Sequence, residues 1–292
     1  MTIASTRGTL SNYLELTKPR IIVLLLITTA AAMVMAARGV PPLGLLVWTL
    51  LGGALASGSA GALNCVYDSD IDGLMRRTML RPIPQSRISI AGATTFGIVL
   101  GLAGFAVFYL LVNPLAAWLS LAGNVYYVVI YTMWLKRVTP LNIVIGGAAG
   151  SIPPLVGWAA VTHQIGGPAL GLFAIIFLWT PPHFWSLALM TETDYERAKI
   201  PMLPNVAGEE RTKREIIYYT LLLLAASLLL YPLHVMGPFY TAAAALLGGV
   251  FLYDTVRMWR TPGRCWPRRT FTFSLIYLAL MCTVMVIDRI IA

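Results

Sequence analysis

The chain alternates between long apolar runs and short polar connections. Nine apolar runs stand out, at about 21–37, 43–63, 88–111, 114–134, 141–161, 169–190, 216–236, 238–256 and 271–291. A helix needs about 20 apolar residues to cross a bilayer, and these runs have that length. The pattern predicts an all-α, polytopic membrane protein of about nine transmembrane helices. It also predicts one domain over 1–292, because no polar stretch is long enough to bury a second core.

The connections fall into two kinds. Some are short and nearly uncharged, such as 112–114 and 162–168. Others are long and carry both acids and bases, above all 64–87 and 191–214. If the N-terminus is cytoplasmic, all but Arg38 and Arg289 of the 21 Lys and Arg lie on the inner side. Inner loops carry such an excess of basic residues, so this orientation is expected. Nine spans then put the C-terminus outside.

Composition supports the membrane reading. Hydrophobic residues make up 58% and charged residues 11%, against roughly 25% charged in a soluble domain. The net charge of +9 is spread over the inner loops, which excludes nucleic acid as a partner and leaves the lipid bilayer as the surroundings. Cys65, Cys265 and Cys282 form no CxxC pair, so neither a zinc site nor a disulfide framework is expected. The first twenty residues include Glu15 and lack a small-residue cleavage site after a short apolar core. They are read as neither signal nor transit peptide, and a bacterial inner membrane is the expected location.

The chemistry is concentrated in NCVYDSDIDGLMRRTMLRPIP, residues 64–84. Asn64, Asp68 and Asp72 are four apart and share one face of a helix, while Asp70 falls on another side. Carboxylates this close at the end of a span repel one another, and a hard divalent cation removes that cost. Arg76, Arg77 and Arg81 follow directly. Oxygen ligands beside guanidinium groups suit a magnesium-chelated diphosphate. A second loop, TETDYERAKIPMLPNVAGEERTKR, offers Asp194, Glu196 and Lys199. If the two loops face each other across a bundle, their acids can share metal around one diphosphate. Tyr131, Lys136 and Arg137 lie on the same side, as do Lys18 and Arg20. A departing diphosphate needs cations of this kind, although such residues also anchor helix ends. His183, in TPPHFWSLAL, is an intramembrane histidine. Its two readings are a functional group and a hydrogen-bonded packing residue.

These residues carry a resemblance. The spacing N-x-x-x-D-x-x-x-D at 64–72 is similar to the signature of the intramembrane prenyltransferase superfamily. Within it, the chain resembles the protohaem IX farnesyltransferase (haem O synthase) branch. LTKPRI at 16–21, YTMWLKRVTPLNIVIGGAAGSIPPLVGW at 131–158, WTPPHFWSLAL at 179–189 and DYERAKIPMLP at 194–204 extend the likeness over most of the chain. The resemblance implies a nine-helix bundle around a central cavity open to the cytoplasmic side. It implies transfer of a farnesyl group from farnesyl diphosphate to the 2-vinyl group of haem b, giving haem O. It assigns Mg²⁺, with Mn²⁺ as a substitute, to Asn64, Asp68, Asp72 and Asp194. The wider superfamily has a second acid where this chain has Ala198, so Glu196 or water would complete that shell.

On this reading Arg77, Arg81, Lys136, Arg137, Lys18 and Lys199 are the diphosphate-binding candidates, and His183 is the candidate haem contact. A haem A synthase or terminal oxidase assembly is the expected downstream partner. Two other readings stay open on the residues alone: a related prenyltransferase with a quinone-type acceptor, and a membrane transporter for an anion or haem.

Overall fold

A computed structural model describes residues 8–291. Arg7, counted above among the inner-side basic residues, lies outside them. The described residues form helices and no strand. In chain order these are α1 (Thr9–Leu16), α2 (Pro19–Ala37), α3 (Leu43–Tyr67), α4 (Ser69–Asp72), α5 (Ile90–Leu111) and α6 (Pro114–Val125). A π-helical stretch, Tyr126–Trp134, and a single 3₁₀ turn, Leu135–Arg137, continue α6. Then follow α7 (Asn142–Thr162), α8 (Gly167–Met190), α9 (Glu192–Arg197), α10 (Leu203–Leu229), α11 (Pro238–Arg260) and α12 (Cys265–Ile291).

Sequence sets the helix starts. Pro19, Pro114 and Pro238 open α2, α6 and α11, where their missing N–H is not needed. Asn113 caps α6 through the amide of Ala116, and Ser89 caps α5 through that of Gly92. The start of α11 is capped from another helix. Asp288, buried in α12, accepts from the amides of Gly237 and Tyr240 at 2.6 and 3.0 Å. Asp254, buried in α11, pairs with Arg269 at 3.0 Å. Each acid buried in these last two helices therefore has a partner that offsets its lost hydration.

Eight of the described helices are long and apolar enough to cross a membrane. The count of nine from the sequence differs at 216–236. That run begins inside α10 and continues past its end at Leu229, and the first half of α10 carries Glu209, Glu210, Arg211, Lys213, Arg214 and Glu215. Its apolar half, 216–229, covers about 21 Å at 1.5 Å per residue, so α10 crosses a core of about 30 Å only with its charged turns reaching to the headgroups. α10 packs between α8 and α11 as the ninth long helix. Leu102, Leu110 and Leu246 point outward from α5 and α11. Such outward apolar side chains suit contact with lipid chains.

Helices close on each other where side chains are smallest. At Gly157 of α7 an added Cβ would lie 2.3 Å from the carbonyl oxygen of Thr29 in α2, so only glycine permits that approach. α2, α3, α6, α7, α8 and α12 surround a central cavity of about 720 Å³. α5 covers α3 from outside.

Candidate active site

The motif residues gather at one end of the cavity. α3 stops at Tyr67, but its hydrogen bonding runs on. The amide of Asp68 donates to Asn64 O at 2.9 Å, and that of Asp72 to Asp68 O at 2.8 Å. The four-residue spacing therefore survives the junction with α4, and Asn64, Asp68 and Asp72 all line one small pocket of about 100 Å³. Asp70 turns away and is 60% exposed in its side chain. Arg137 binds it with two hydrogen bonds of 2.7 Å, and that contact holds the Asp70 carboxyl below its ordinary value.

Cations enter the pocket from three other segments. Lys136, just past the π-helical stretch, pairs with Asp68. Arg81, on the loop after α4, pairs with Asp72 at 2.6 Å. Lys18 sits between α1 and α2 with φ +59°, a left-handed conformation that is rare outside glycine, and donates to Asn64. Burial lowers the affinity of its amine for a proton, while Cys65, Asp68 and Asp72 oppose that effect. Asn64 in turn donates to Asp68 at 2.9 Å and to Thr132 at 3.0 Å.

Two carboxylate oxygens are left over. Asp68 Oδ1 and Asp72 Oδ1 are buried and accept no hydrogen bond. A buried, unsatisfied acceptor is costly unless something else meets it. Oxygen donors of this kind fit a hard divalent cation such as Mg²⁺. Among the described residues no group of three or more His, Cys, Asp or Glu could hold a metal ion; the pocket has two Asp beside Asn64, with basic side chains on their other oxygens.

The second loop meets the first, and Asp194 makes the junction. Both its oxygens accept from backbone amides of the first loop, those of Arg76 and Arg77, at 3.3 and 3.4 Å. Its neighbour Tyr195 lines the pocket, whereas Asp194 itself does not. Burial raises the pKa of Tyr195. Glu196 and Lys199 are exposed and lie outside the pocket wall, as does Arg137. Arg77 is in it.

Lys18, Ile21, Tyr127, Tyr131 and Phe184 belong to both the small polar pocket and the large cavity. The two spaces form one route, polar at one end and apolar beyond. His183 lines the cavity, its ring stacked between Trp179 and Phe271 at centroid distances of 4.3 and 4.7 Å. Tyr127 and Thr132 escaped the sequence reading. Their place depends on the π-helical stretch and on contacts 68 residues away.

Residues 25–281 match the model of the UbiA prenyltransferase family. The chain belongs to that family. As a UbiA family member it is 54% identical over 279 residues to protoheme IX farnesyltransferase of Synechocystis sp., covering 95% of this chain and 88% of that one. It is 55% identical over 283 residues to protoheme IX farnesyltransferase of Gloeobacter violaceus, covering 96% and 92%. Among solved structures it is similar to digeranylgeranylglyceryl phosphate synthase, with TM-score 0.81, 18% identity and coverage of 97% and 99%. A UbiA homolog from Archaeoglobus fulgidus bound to DMAPP and Mg²⁺ gives TM-score 0.68 and 16% identity, covering 94% and 99%. These two likenesses show the fold. The chain is thus a membrane-embedded prenyltransferase of UbiA type.

Proposed function

We propose that the protein transfers a farnesyl group from farnesyl diphosphate to the 2-vinyl group of haem b, giving haem O. The observation that carries this is the continuity of the two spaces. A pocket lined by two Asp, Asn64 and four basic residues opens into an apolar cavity of about 720 Å³ that contains a histidine. Near-full-length relatives at 54% and 55% identity, named protoheme IX farnesyltransferase, support this choice of donor and acceptor.

The diphosphate belongs in the small pocket. Asn64, Asp68 and Asp72 would hold Mg²⁺ there, or Mn²⁺ in its place, and the unsatisfied Asp68 and Asp72 oxygens fit it. A bound divalent ion supplies charge that neutralises the diphosphate oxygens. Lys18, Arg77, Arg81 and Lys136 offer cationic donors to the same group. Asp194 serves by clamping the Arg76–Arg77 backbone rather than by facing the pocket.

The allylic C–O bond breaks and its electron pair leaves with the diphosphate. The vinyl π electrons form the new C–C bond. Water adds to the cation left on the porphyrin side and releases a proton, leaving a hydroxyl. The apolar cavity shields the allylic cation from water until that point. His183 is placed to meet the acceptor. Ser274 Oγ donates its one proton to Phe271 O at 2.6 Å and lies 2.7 Å from His183 Nδ1. With that proton on Phe271 O, Nδ1 is the donor to Ser274, the tautomer that leaves Nε2 with a free lone pair for the haem iron.

The orientation belongs to this reading too. The basic residues of the polar end face the cytoplasm of a bacterial inner membrane, with the N-terminus inside. An apolar product stays in the bilayer, where a haem A synthase or oxidase subunit can collect it. The test is to incubate membranes with haem b and farnesyl diphosphate, with and without EDTA, and to analyse the extracted haem.

A further inference from the structure

α5 is an outer helix, and of all its side chains only Phe108 reaches the cavity wall. The reason lies in α3, which stands between. At Gly52 of α3 an added Cβ would lie 2.9 Å from two carbons of the Phe108 ring. The ring therefore crosses α3 where α3 has no side chain. Phe108 is fully buried and packs with Met33, Val156 and Ala160. Phe108 and Val156 also line the cavity, so this cluster forms part of its wall at the end away from Asn64.

The depth of the cavity follows from helix geometry. On α3 the lining begins at Gly53, eleven positions before Asn64, a rise of about 16 Å at 1.5 Å per residue. From Lys18 to Thr29, beside and along α2, the separation is again eleven positions. Two walls thus agree on about 16 Å from the polar pocket to the floor. A prenyl chain has four main-chain carbons per isoprene unit. With bonds near 1.5 Å, each unit reaches roughly 5 Å. Three units reach roughly 15 Å and four roughly 20 Å.

We infer that Phe108, admitted by Gly52, is the stop that sets the donor at three isoprene units. This rests on the proposed function, in that the diphosphate end must sit beside Asn64. A C20 chain would need the space that the Phe108 ring fills. A C10 chain would leave the floor uncovered and forfeit apolar burial. Ala56, eight positions before Asn64 and also in the wall, lies about 12 Å along the same path. A larger side chain there should shorten the ruler by one unit.

The test is equilibrium binding of geranyl, farnesyl and geranylgeranyl diphosphate to the purified full chain in lipid nanodiscs with Mg²⁺. Inorganic diphosphate is the headgroup reference. The wild type should bind the C15 donor at least about 10-fold tighter than the C20 donor, the size of effect a hydrophobic pocket gives for a small change in fit. Phe108→Ala should bring C20 to parity with C15, and Phe108→Leu should fall between, with inorganic diphosphate unchanged. Ala56→Leu should make C10 the best donor. If removing the ring leaves no folded protein, Ala56→Leu decides alone. Equal C15 and C20 binding by the wild type, or an unchanged ranking in folded Ala56→Leu, overturns the ruler. Turnover with haem b, measured on the same samples, separates the two claims. A C15 preference without any haem product would sink the acceptor reading and leave the ruler standing.

Discussion

Asp68 uses one carboxylate oxygen for Asn64 and Lys136 and leaves the other without a hydrogen bond. Asp68→Asn keeps the shape and removes the charge. Turnover should fall by about 10²–10³-fold, as it does when a group that stabilises developing charge is lost, while haem binding persists because the acid faces the diphosphate end. Paired turnover and haem titrations check this. His183→Ala should do the reverse: a weaker haem affinity and an altered Soret band, with diphosphate binding intact. An unchanged Soret titration would remove the ligand role. At this scale much of the site could be read in the chain. Asn64, Asp68 and Asp72 announce themselves by spacing, and Lys18, Arg81 and Lys136 by charge beside them. Asp194 was legible as an acid but not in its part, because its partners are backbone amides 117 and 118 positions away. Lys199 and Arg137 are the reverse case. Their charge suggests a diphosphate role, but Lys199 is exposed, and Arg137 binds Asp70 and the Tyr67 ring while its guanidinium stays 3.9 Å from Asp68 Oδ1.

The element that matters most is the π-helical stretch Tyr126–Trp134. Such stretches are rare and usually single-turn, and they tend to occur at functional sites. Here the wider turn puts Tyr127 and Tyr131 in both the pocket and the cavity, with ring centroids 5.4 Å apart, and still lets Lys136 reach Asp68. Deleting Val129 should let the segment relax to a regular helix and rotate these groups by about 100° per residue. The variant should still insert and purify, but lose at least about 10-fold in diphosphate affinity as its charge-assisted contacts separate. Titration with inorganic diphosphate reads this. Wild-type affinity would mean that the π-helical register is incidental. Apolar periodicity predicts a helix here and is blind to its winding. The same blindness affects α10: the apolar run 216–236 starts thirteen residues after the helix does and continues past its end at Leu229, so run length marks the element but not its bounds.

At the scale of the whole molecule the helical class and the loaded loops were written in run length and charge. The cavity was not, because it is the space left between six helices and no single run encodes it. Reporter fusions after Arg77, Arg137, Arg211 and Arg264 should report the cytoplasm, and fusions near Asn113 and Gln164 the outside. A cytoplasmic signal at Asn113 would invert the account of which face holds the polar pocket. On the proposed function the polar pocket takes the diphosphate, and the cavity takes the farnesyl chain and the haem. The most direct test is the mass of haem extracted from membranes that contain the protein after incubation with haem b, farnesyl diphosphate and Mg²⁺. The expected product is a new haem heavier by one C15 chain plus one water, absent with EDTA and absent with Asp68→Asn. Haem b recovered unchanged, alongside farnesyl transfer to a quinone-type acceptor such as 4-hydroxybenzoate, would contradict the proposed function.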